Sequence, residues 1–275
     1  MNKFKIVVDS ASDLTNDYLK DTDIGFEVCP LTITVGGVEF VDDDALKLET
    51  LMNSLKNANA KTSSSCPSPG VFLNAYEGAE YVFCVTLSSK LSGSFNSAFL
   101  ASTMASNKVH VIDSKLVSGA ERLIVDQLVG LINEGLSYEE IVTAIDKKVK
   151  DQKLLFVLQK FDNLVRNGRM SKIAKSIASF LNIKPLCAGQ DGEIKVLAKI
   201  RTLKVALHTL VENIGKDKTP LADKTCVVSH CDDEKTASFL AGLIRKFYPF
   251  KEVIVSKMRG LTSYYALEKG IIVSY

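Results

Sequence analysis

The sequence has no apolar run near the ~20 residues that a membrane-spanning helix requires. Its N-terminus, MNKFKIVVDS, enters a strand-like pattern where a signal peptide would place a long apolar segment. Tryptophan is absent and only six prolines occur, whereas 46% of the residues are hydrophobic and 24% are charged, which excludes disordered and collagen-like classes. We expect an ordinary globular protein of the cytoplasm.

The six cysteines form no C-x-x-C pair and mostly lie in apolar, strand-like segments. This pattern predicts reduced thiols in the core rather than disulfides. Cys226, His230 and Cys231 would supply at most three zinc ligands, so no metal site is expected.

Motifs of several enzyme classes are also missing. There is no G-x-S-x-G segment, and the three histidines lie inside a strand, within a helix and at a strand end, so a serine hydrolase is not expected. No two glycines are spaced G-x-G and no P-loop occurs, which argues against a dinucleotide or other nucleotide cofactor. The sequence therefore predicts no cofactor.

The net charge of +2 conceals two halves of opposite sign. Residues 1–150 hold 13 Lys and Arg against 20 Asp and Glu, whereas residues 151–275 hold 21 against 12. A basic half favours an anionic partner, although two surfaces that differ only in composition would look the same. The basic residues are not interleaved with aromatic residues, so a nucleic-acid partner is not expected.

Strand patterns alternate with helix patterns in the first half. Buried strands are expected at 4–10, 81–88 and 109–114, and a strand followed by a hairpin around Gly36-Gly37 is expected within 25–41. This alternation predicts an α/β domain with a doubly wound, mostly parallel sheet over residues 1–152.

Residues 153–275 have a different pattern from the first half, and this pattern predicts an α+β domain with a mixed or antiparallel sheet. A turn over Gly189 to Gly192 separates two alternating runs, which is typical of an antiparallel hairpin. The segment 161–181 predicts two short helices broken at Gly168, followed by further strands and helices to the end of the chain.

Local signals predict where three helices begin. Asp44 is expected to cap the helix that follows it, and Ser68-Pro69 provides an N-cap and a first helical residue. Ser137 and Glu140 form a capping box.

Serine and threonine side chains accumulate at predicted strand ends. They lie in four segments: Thr62 to Ser65 with Ser68, Ser88 to Ser94, Ser10 with Ser12, and Ser114 with Ser118. Each serine alone is typical of a cap or a turn. Because the carboxyl ends of parallel strands meet at one edge of a sheet, these loops together predict a polar, uncharged pocket rim.

Gly93 lies directly before a predicted helix, where the backbone approaches a ligand closely. The amides of the first helical turn would then point outward as donors, with the positive end of the helix dipole behind them. This arrangement favours a small anion, either a carboxylate or a phosphate, and no loop offers an obvious catalytic base.

Seven segments in this order resemble the DegV family of fatty-acid-binding proteins, over essentially the whole chain: KIVVDSASDL, PSPGVF, LSSKLSGSFNSA, VHVIDS, NGRMSK, LNIKPL and GEIKVLAKIR. The resemblance implies a non-catalytic two-domain protein that holds a long-chain fatty acid between its domains, with the carboxylate at the hydroxyl loops and the tail in an apolar tunnel. It also implies a partner, a separate ATP-dependent fatty acid kinase subunit that phosphorylates the bound acid, and transient contact with a membrane surface.

The family's site residues fall on particular positions of this chain. Its Thr-Ser-Gln-Pro segment matches Ser64, Ser65, Cys66 and Pro67, although a shift onto Thr62-Ser63 stays open, and its Ser-Gly-Thr matches Ser92, Gly93 and Ser94. Its Gly-Gly-Arg-Ile matches the segment 167–170, so the resemblance gives Arg169 a place behind the head group. Arg201 resembles an arginine that faces the kinase partner.

One segment departs from the family. Where the family usually has His-Thr-Gly-Pro-Gly, this chain has LTSYYAL, so Leu261 replaces the histidine and only Thr262 persists. The loss of that histidine puts the kinase partner in doubt and leaves lipid binding intact. Tyr264 and Tyr265 are expected to reshape the tunnel mouth.

Three hypotheses remain open: a fatty-acid carrier, an enzyme acting on a phosphorylated small molecule, and a regulatory binding module. In the second, the serine loops hold phosphate and Asp9, Asp13 or Asp113 acts as acid or base. Candidate tunnel residues for the first, each also compatible with ordinary core packing, are Phe95, Phe99, Leu100, Phe161, Phe180 and Leu181.

Overall fold

The structure, a computed structural model, describes residues 2–56, 61–170, 183–217 and 219–275. Within these ranges the strands are β1 (Asn2–Asp9), β2 (Gly25–Cys29), β3 (Thr32–Val35), β4 (Val38–Val41), β5 (Thr62–Ser65), β6 (Ala79–Thr86), β7 (Lys108–Asp113), β8 (Leu154–Val157), β9 (Leu186–Gln190), β10 (Glu193–Ala198), β11 (Thr225–His230), β12 (Glu252–Lys257) and β13 (Ile271–Ser274). The α-helices are α1 (Leu48–Leu55), α2 (Pro69–Ala75), α3 (Ser94–Met104), α4 (Gly119–Asn133), α5 (Tyr138–Lys148), α6 (Asp162–Arg166), α7 (Leu203–Ile214), α8 (Glu234–Phe247) and α9 (Gly260–Ala266).

The first sheet is parallel, in the order β2-β1-β6-β7. Along β1, Ile6 and Val8 pack in one buried cluster and Val7 in another, so both faces of the sheet are covered. The strand order reverses between β1 and β6, which is where ligands bind in doubly wound folds. The predicted α/β architecture of the first half is confirmed.

The six-stranded sheet has the order β10-β9-β8-β13-β11-β12. Only β11 and β12 pair in parallel, while the other neighbours are antiparallel, so this sheet is mixed as predicted. Its strands all follow residue 153, whereas the parallel sheet ends at Asp113. The domain division into 1–152 and 153–275 stays a prediction.

A third, antiparallel sheet has the order β4-β3-β5. The hairpin between β3 and β4 turns at Gly36-Gly37, both with positive φ, as predicted. Strand β5 corrects the sequence analysis, because residues 62–65 pair with β3 and do not form a loop at the edge of the parallel sheet. The polar sequence TSSS does not indicate a strand, and pairing with β3 is what stabilises it as one.

The other local predictions have mixed outcomes. The Ser68-Pro69 start of α2 and the capping box of α5 are confirmed. Asp44 as a cap is wrong: α1 starts after Lys47 without a side-chain cap, and Asp44 accepts hydrogen bonds from Asn16 and Arg259. The second hairpin turns at Asp191-Gly192, two residues tighter than predicted. Of the two short helices expected over 161–181, α6 is present, and residues 171–181 lie outside the described residues.

Candidate functional site

A cavity lies between the six-stranded sheet and the loops that follow β6 and β7. It contains about 830 Å³ of atom-free space, including space open to solvent at its mouth. Its wall is mainly apolar and includes Leu87, Leu116, Leu154, Phe156, Ile194 and Ile272. Such a wall suits an aliphatic ligand.

Polar side chains reach the same cavity from four separate segments. Ser64 on β5, Ser92 before α3, Arg169 after α6 and Thr262 on α9 all line it. The sequence analysis named these four residues, and the fold brings them to one cavity although they are nearly 200 positions apart. Whether they contact a ligand stays a prediction.

The polar groups also contact one another. The hydroxyl oxygens of Ser64 and Tyr265 lie 2.8 Å apart. The Arg169 guanidinium lies over the Tyr265 ring, 5.8 Å from its centroid. Arg169 is held by two carbonyls, since Nε donates to Leu91 O (3.2 Å) and Nη1 to Asn167 O (2.6 Å). The cavity therefore has hydroxyl groups and the fixed guanidinium of Arg169 beside an apolar wall, and Lys115 and Glu193 also line it.

Three of the predicted ligand-binding residues, Ser65, Gly93 and Ser94, do not line the cavity. Ser65 is exposed, because alternate residues of β5 face opposite sides and Ser64 takes the inner one. Gly93 is exposed too, and a Cβ there would come within 3.1 Å of Cys66 Sγ, which is a close contact. Direct ligand contact by Ser65 or Gly93 stays a prediction.

Ser94 is fully buried beneath Ser92. Its amide donates to Ser92 Oγ at 3.2 Å, and the two hydroxyl oxygens are also 3.2 Å apart. This amide of the first turn of α3 is therefore occupied by a side chain and does not point outward as predicted. Ser94 orients Ser92 from within the protein.

Thr262 connects helix α9 to the segment that follows β1. Its hydroxyl donates to Asp13, which also accepts hydrogen bonds from Ser118 Oγ (2.6 Å) and from the Arg259 amide (2.7 Å). Burial raises the pKa of Asp13 to about 6. Because the hydrogen of Thr262 is used in this contact, Thr262 offers a ligand only its oxygen as an acceptor.

Helix α9 is capped from a distant part of the chain. Asp42, which directly follows β4, accepts hydrogen bonds from the amides of Gly260 (2.9 Å) and Leu261 (2.8 Å). A Cβ on Gly260 would come within 2.5 Å of Asp42 Oδ1, so only glycine fits this approach. The side chain of Asp42 thus stabilises the helix that carries Thr262 and Tyr265.

The aspartates considered as acid or base groups have structural partners. At the switch point, Asp9 accepts hydrogen bonds from the amides of Leu87 (3.0 Å) and Ala11 (3.1 Å), and burial raises its pKa to about 6. Asp113 accepts from the Ser89 hydroxyl and amide. None of Asp9, Asp13 and Asp113 is among the described residues that line the cavity. An acid or base role for these aspartates stays a prediction.

The predicted tunnel residues are placed differently. Phe99 and Leu100 are exposed and Phe95 stacks on Phe99, while Phe161 packs in the core beside the cavity without lining it. Phe180 and Leu181 lie outside the described residues. Polar and apolar residues are distributed around helix α3 without a distinct apolar face, and its spacing therefore could not indicate which side faces the ligand.

Tyr265 is the functional candidate that the sequence analysis left without a role in the polar cluster. The sequence analysis did not identify this segment as a helix. In a helix, Tyr265 lies one turn after Leu261, and this spacing would have indicated that both side chains face the same side. Leu261 itself lines the cavity as an apolar residue. Arg201 lies elsewhere, exposed directly before α7.

No helix among the described residues is long and apolar enough to cross a membrane.

Comparison with known proteins covers nearly the whole chain. A family model described as "Uncharacterised protein, DegV family" matches residues 3–273. A DegV domain-containing protein of Streptococcus pyogenes serotype M3 is 36% identical over 278 residues, which is 99% of each chain.

Several solved structures are also similar. The fatty acid kinase (Fak) B3 protein of Streptococcus pneumoniae, loaded with linoleic acid, has a TM-score of 0.91 and 35% identity over 99% of both chains. A DegV family protein of Ruminococcus gnavus with vaccenic acid also has a TM-score of 0.91, at 31% identity over 99% of both chains. A DegV family protein of Eubacterium eligens loaded with heptadecanoic acid has a TM-score of 0.90, at 32% identity over 98% of both chains.

Proposed function

The chain belongs to the DegV family, and from this premise we propose that it binds one long-chain fatty acid. The acyl tail occupies the cavity, and the carboxylate lies at Ser64, Ser92 and Arg169. The observation that carries the proposal is this cavity, whose wall is mainly apolar and whose hydroxyls and one guanidinium lie close together.

The apolar wall accounts for the retention of such a ligand. Each methylene that leaves water contributes about 0.8 kcal/mol, so a tail of about a dozen methylenes gains on the order of 10 kcal/mol before the entropy of binding is deducted. Release into water would therefore be slow, as a carrier requires.

The polar cluster suits a carboxylate. Hydroxyl donors hold an anion by charge-assisted hydrogen bonds without covering it, and Arg169 supplies the opposite charge. The similar proteins with vaccenic, linoleic or heptadecanoic acid support a ligand of this class.

Extraction of the purified protein with organic solvent, followed by mass spectrometry, tests the proposal. We expect one long-chain fatty acid per chain, and we expect the delipidated protein to bind carboxyl-labelled oleic acid. A protein that yields no lipid, ignores oleic acid and binds sugar phosphates would overturn the proposal in favour of a phosphate-binding enzyme.

A finer proposal concerns the use of the bound acid. The similarity to the Fak B3 protein supports presentation of the carboxylate to a separate, ATP-using kinase subunit. Leu261, in place of the family's usual histidine, argues in the other direction. Exposed Arg201 is the proposed docking residue of the basic half.

Phosphorylation of bound oleic acid by a fatty acid kinase catalytic subunit and ATP tests this step. We expect Arg201→Glu to reduce acyl phosphate formation without changing the affinity for oleic acid. Lys204→Glu, an equal charge change at an exposed site on α7, is the matched control. Absence of acyl phosphate with the unmodified protein would reject the kinase role and leave lipid binding intact.

A further inference from the structure

Helix α9 provides a hydrogen-bonding group that no prediction assigned to the head group. Leu261 and Tyr265 are four positions apart, so they lie on the same face of α9, and both line the cavity. Leu261 offers no hydrogen bond. Thr262 also lines this part of the wall, but its hydroxyl hydrogen is used in the contact with Asp13, so Tyr265 carries the remaining hydroxyl of α9 at the cavity.

The position of the Tyr265 ring is fixed by its neighbours. Its ring meets the ring of Tyr264 edge to face, with centroids 4.6 Å apart. Tyr264 is fully buried, and its hydroxyl donates to Thr62 and accepts from Asn167. The guanidinium of Arg169 lies over the Tyr265 ring. The Tyr265 hydroxyl is thus held in place before any ligand arrives, which lowers the entropic cost of binding.

A count of hydrogens leaves one donor for a ligand at Ser64 and Tyr265. Each hydroxyl has one hydrogen and can also accept, and the two oxygens are 2.8 Å apart. Their mutual bond uses one of the two hydrogens. The second hydrogen remains for a group in the cavity that only accepts hydrogen bonds, and a carboxylate is such a group.

Resting on the proposed function, we propose that Tyr265 and Ser64 form a hydroxyl pair that donates to one oxygen of the fatty acid carboxylate. Burial raises the pKa of Tyr265, so its hydroxyl keeps its hydrogen at neutral pH. Arg169, over the same ring, faces the charge of the carboxylate. The head-group site of this chain thus includes an aromatic donor.

Affinity for oleic acid, measured on delipidated protein by titration calorimetry, tests this assignment. We expect Tyr265→Phe to bind about tenfold to a hundredfold more weakly, because a hydrogen bond to a charged group is lost while the ring remains. Tyr248→Phe is the matched control: its hydroxyl donates to Val211 O, 2.7 Å away, and Tyr248 does not line the cavity. It is expected to bind as the unmodified protein does.

The ¹³Cζ resonance of Tyr265 in the unmodified chain gives a second measurement, which does not depend on the folding of a variant. Addition of oleic acid is expected to shift this resonance and to leave that of Tyr248 in place. Equal affinity of Tyr265→Phe, or an unshifted Tyr265 resonance while oleic acid binds, would overturn the assignment. If the unmodified protein does not bind oleic acid, the proposed function itself fails.

Discussion

Ser64 and Ser65 are neighbours in the chain but have different surroundings. Ser64 contacts the Tyr265 hydroxyl and lines the cavity, whereas Ser65 is exposed on the other side of β5. A sequence match to the family cannot distinguish them, since both positions hold serine. The alternation of side chains along a strand does distinguish them.

This difference predicts opposite outcomes for two alanine variants. Ser64→Ala is expected to weaken oleic acid binding about tenfold or more, because a hydrogen bond to a charged group contributes about 1.5–3 kcal/mol. Ser65→Ala is expected to leave the affinity unchanged. Titration calorimetry measures both, and a loss at Ser65 equal to that at Ser64 would contradict the cavity geometry.

Glu121 is a fully buried carboxyl close to Asp9. Neither of its oxygens has a hydrogen-bond partner among the described residues. Burial, followed by the charge of Asp9, raises the pKa of Glu121 well above 4.5. The folded protein therefore keeps a proton on Glu121 at pH values where the unfolded chain has released it.

The sign of the resulting pH dependence follows. Above about pH 4.3, unfolding releases this proton, so the folded state loses up to about 1.4 kcal/mol per pH unit until the folded pKa is reached. Glu121→Gln does not titrate, and its free energy of unfolding is expected to rise relative to that of the unmodified protein between pH 5 and pH 8. Urea denaturation at several pH values measures this difference.

Glu134→Gln serves as the control, because Glu134 is exposed at the end of the same helix. Its difference from the unmodified protein is expected to stay constant with pH. A constant difference for Glu121→Gln as well would mean that Glu121 is ionised in the folded state.

Helix α4 connects the two large sheets through its first residue. It follows the parallel sheet in the chain, and its N-terminus packs on the six-stranded sheet. A Cβ on Gly119 would come within 2.8 Å of Val227 Cγ1 and 2.9 Å of Val227 Cβ. Glycine at this position therefore allows the helix to lie directly against β11.

Two glycines of α4 predict opposite changes in stability. Gly119→Ala is expected to lower the free energy of unfolding by about 1–3 kcal/mol through overpacking. Gly130→Ala, which meets no atom within 4 Å, is expected to raise it by about 0.5–1 kcal/mol because alanine loses less backbone entropy in a helix. Chemical denaturation checks both, and a stable Gly119→Ala protein would show that the helix can move away from β11.

The cavity wall comes from both halves of the chain. Ser92 and Leu116 belong to loops of the parallel sheet, whereas Phe156 and Ile272 belong to the six-stranded sheet. A ligand in this cavity would therefore connect the two halves and stabilise the folded state by mass action.

Hydrogen exchange of the delipidated and the oleate-loaded protein tests this connection. We expect slower exchange on loading in the segment 88–92 and in α9, since local opening of either would expose the ligand. Edge strand β12 contributes no residue to the cavity and is expected to exchange at an unchanged rate. Protection of only one half would place the ligand outside this cavity.

The sequence by itself determined the features that are encoded locally. Gly36-Gly37 and Gly192 mark hairpins because their turns need positive φ, and Ser68-Pro69 and Ser137 start helices through contacts within four residues. The alternation of strand and helix patterns likewise gave the fold class of each half. Ser64 and Ser92 were indicated by the hydroxyl pattern and by the family resemblance, and Arg169 and Thr262 by the resemblance alone. The sequence predicted a shared pocket rim but could not establish the contacts within it.

The tertiary structure decided everything that depends on distant partners. Helix α9 lacks a local cap, and Asp42, more than 200 residues earlier, accepts the hydrogen bonds of its first amides. No residue close to it in the sequence therefore indicated where this helix begins. Strand β5 likewise exists only because β3 pairs with it. The outward position of Phe99 and the inward position of Tyr265 follow from how these elements pack, because a side chain's surroundings are set by contacts between segments far apart in the chain.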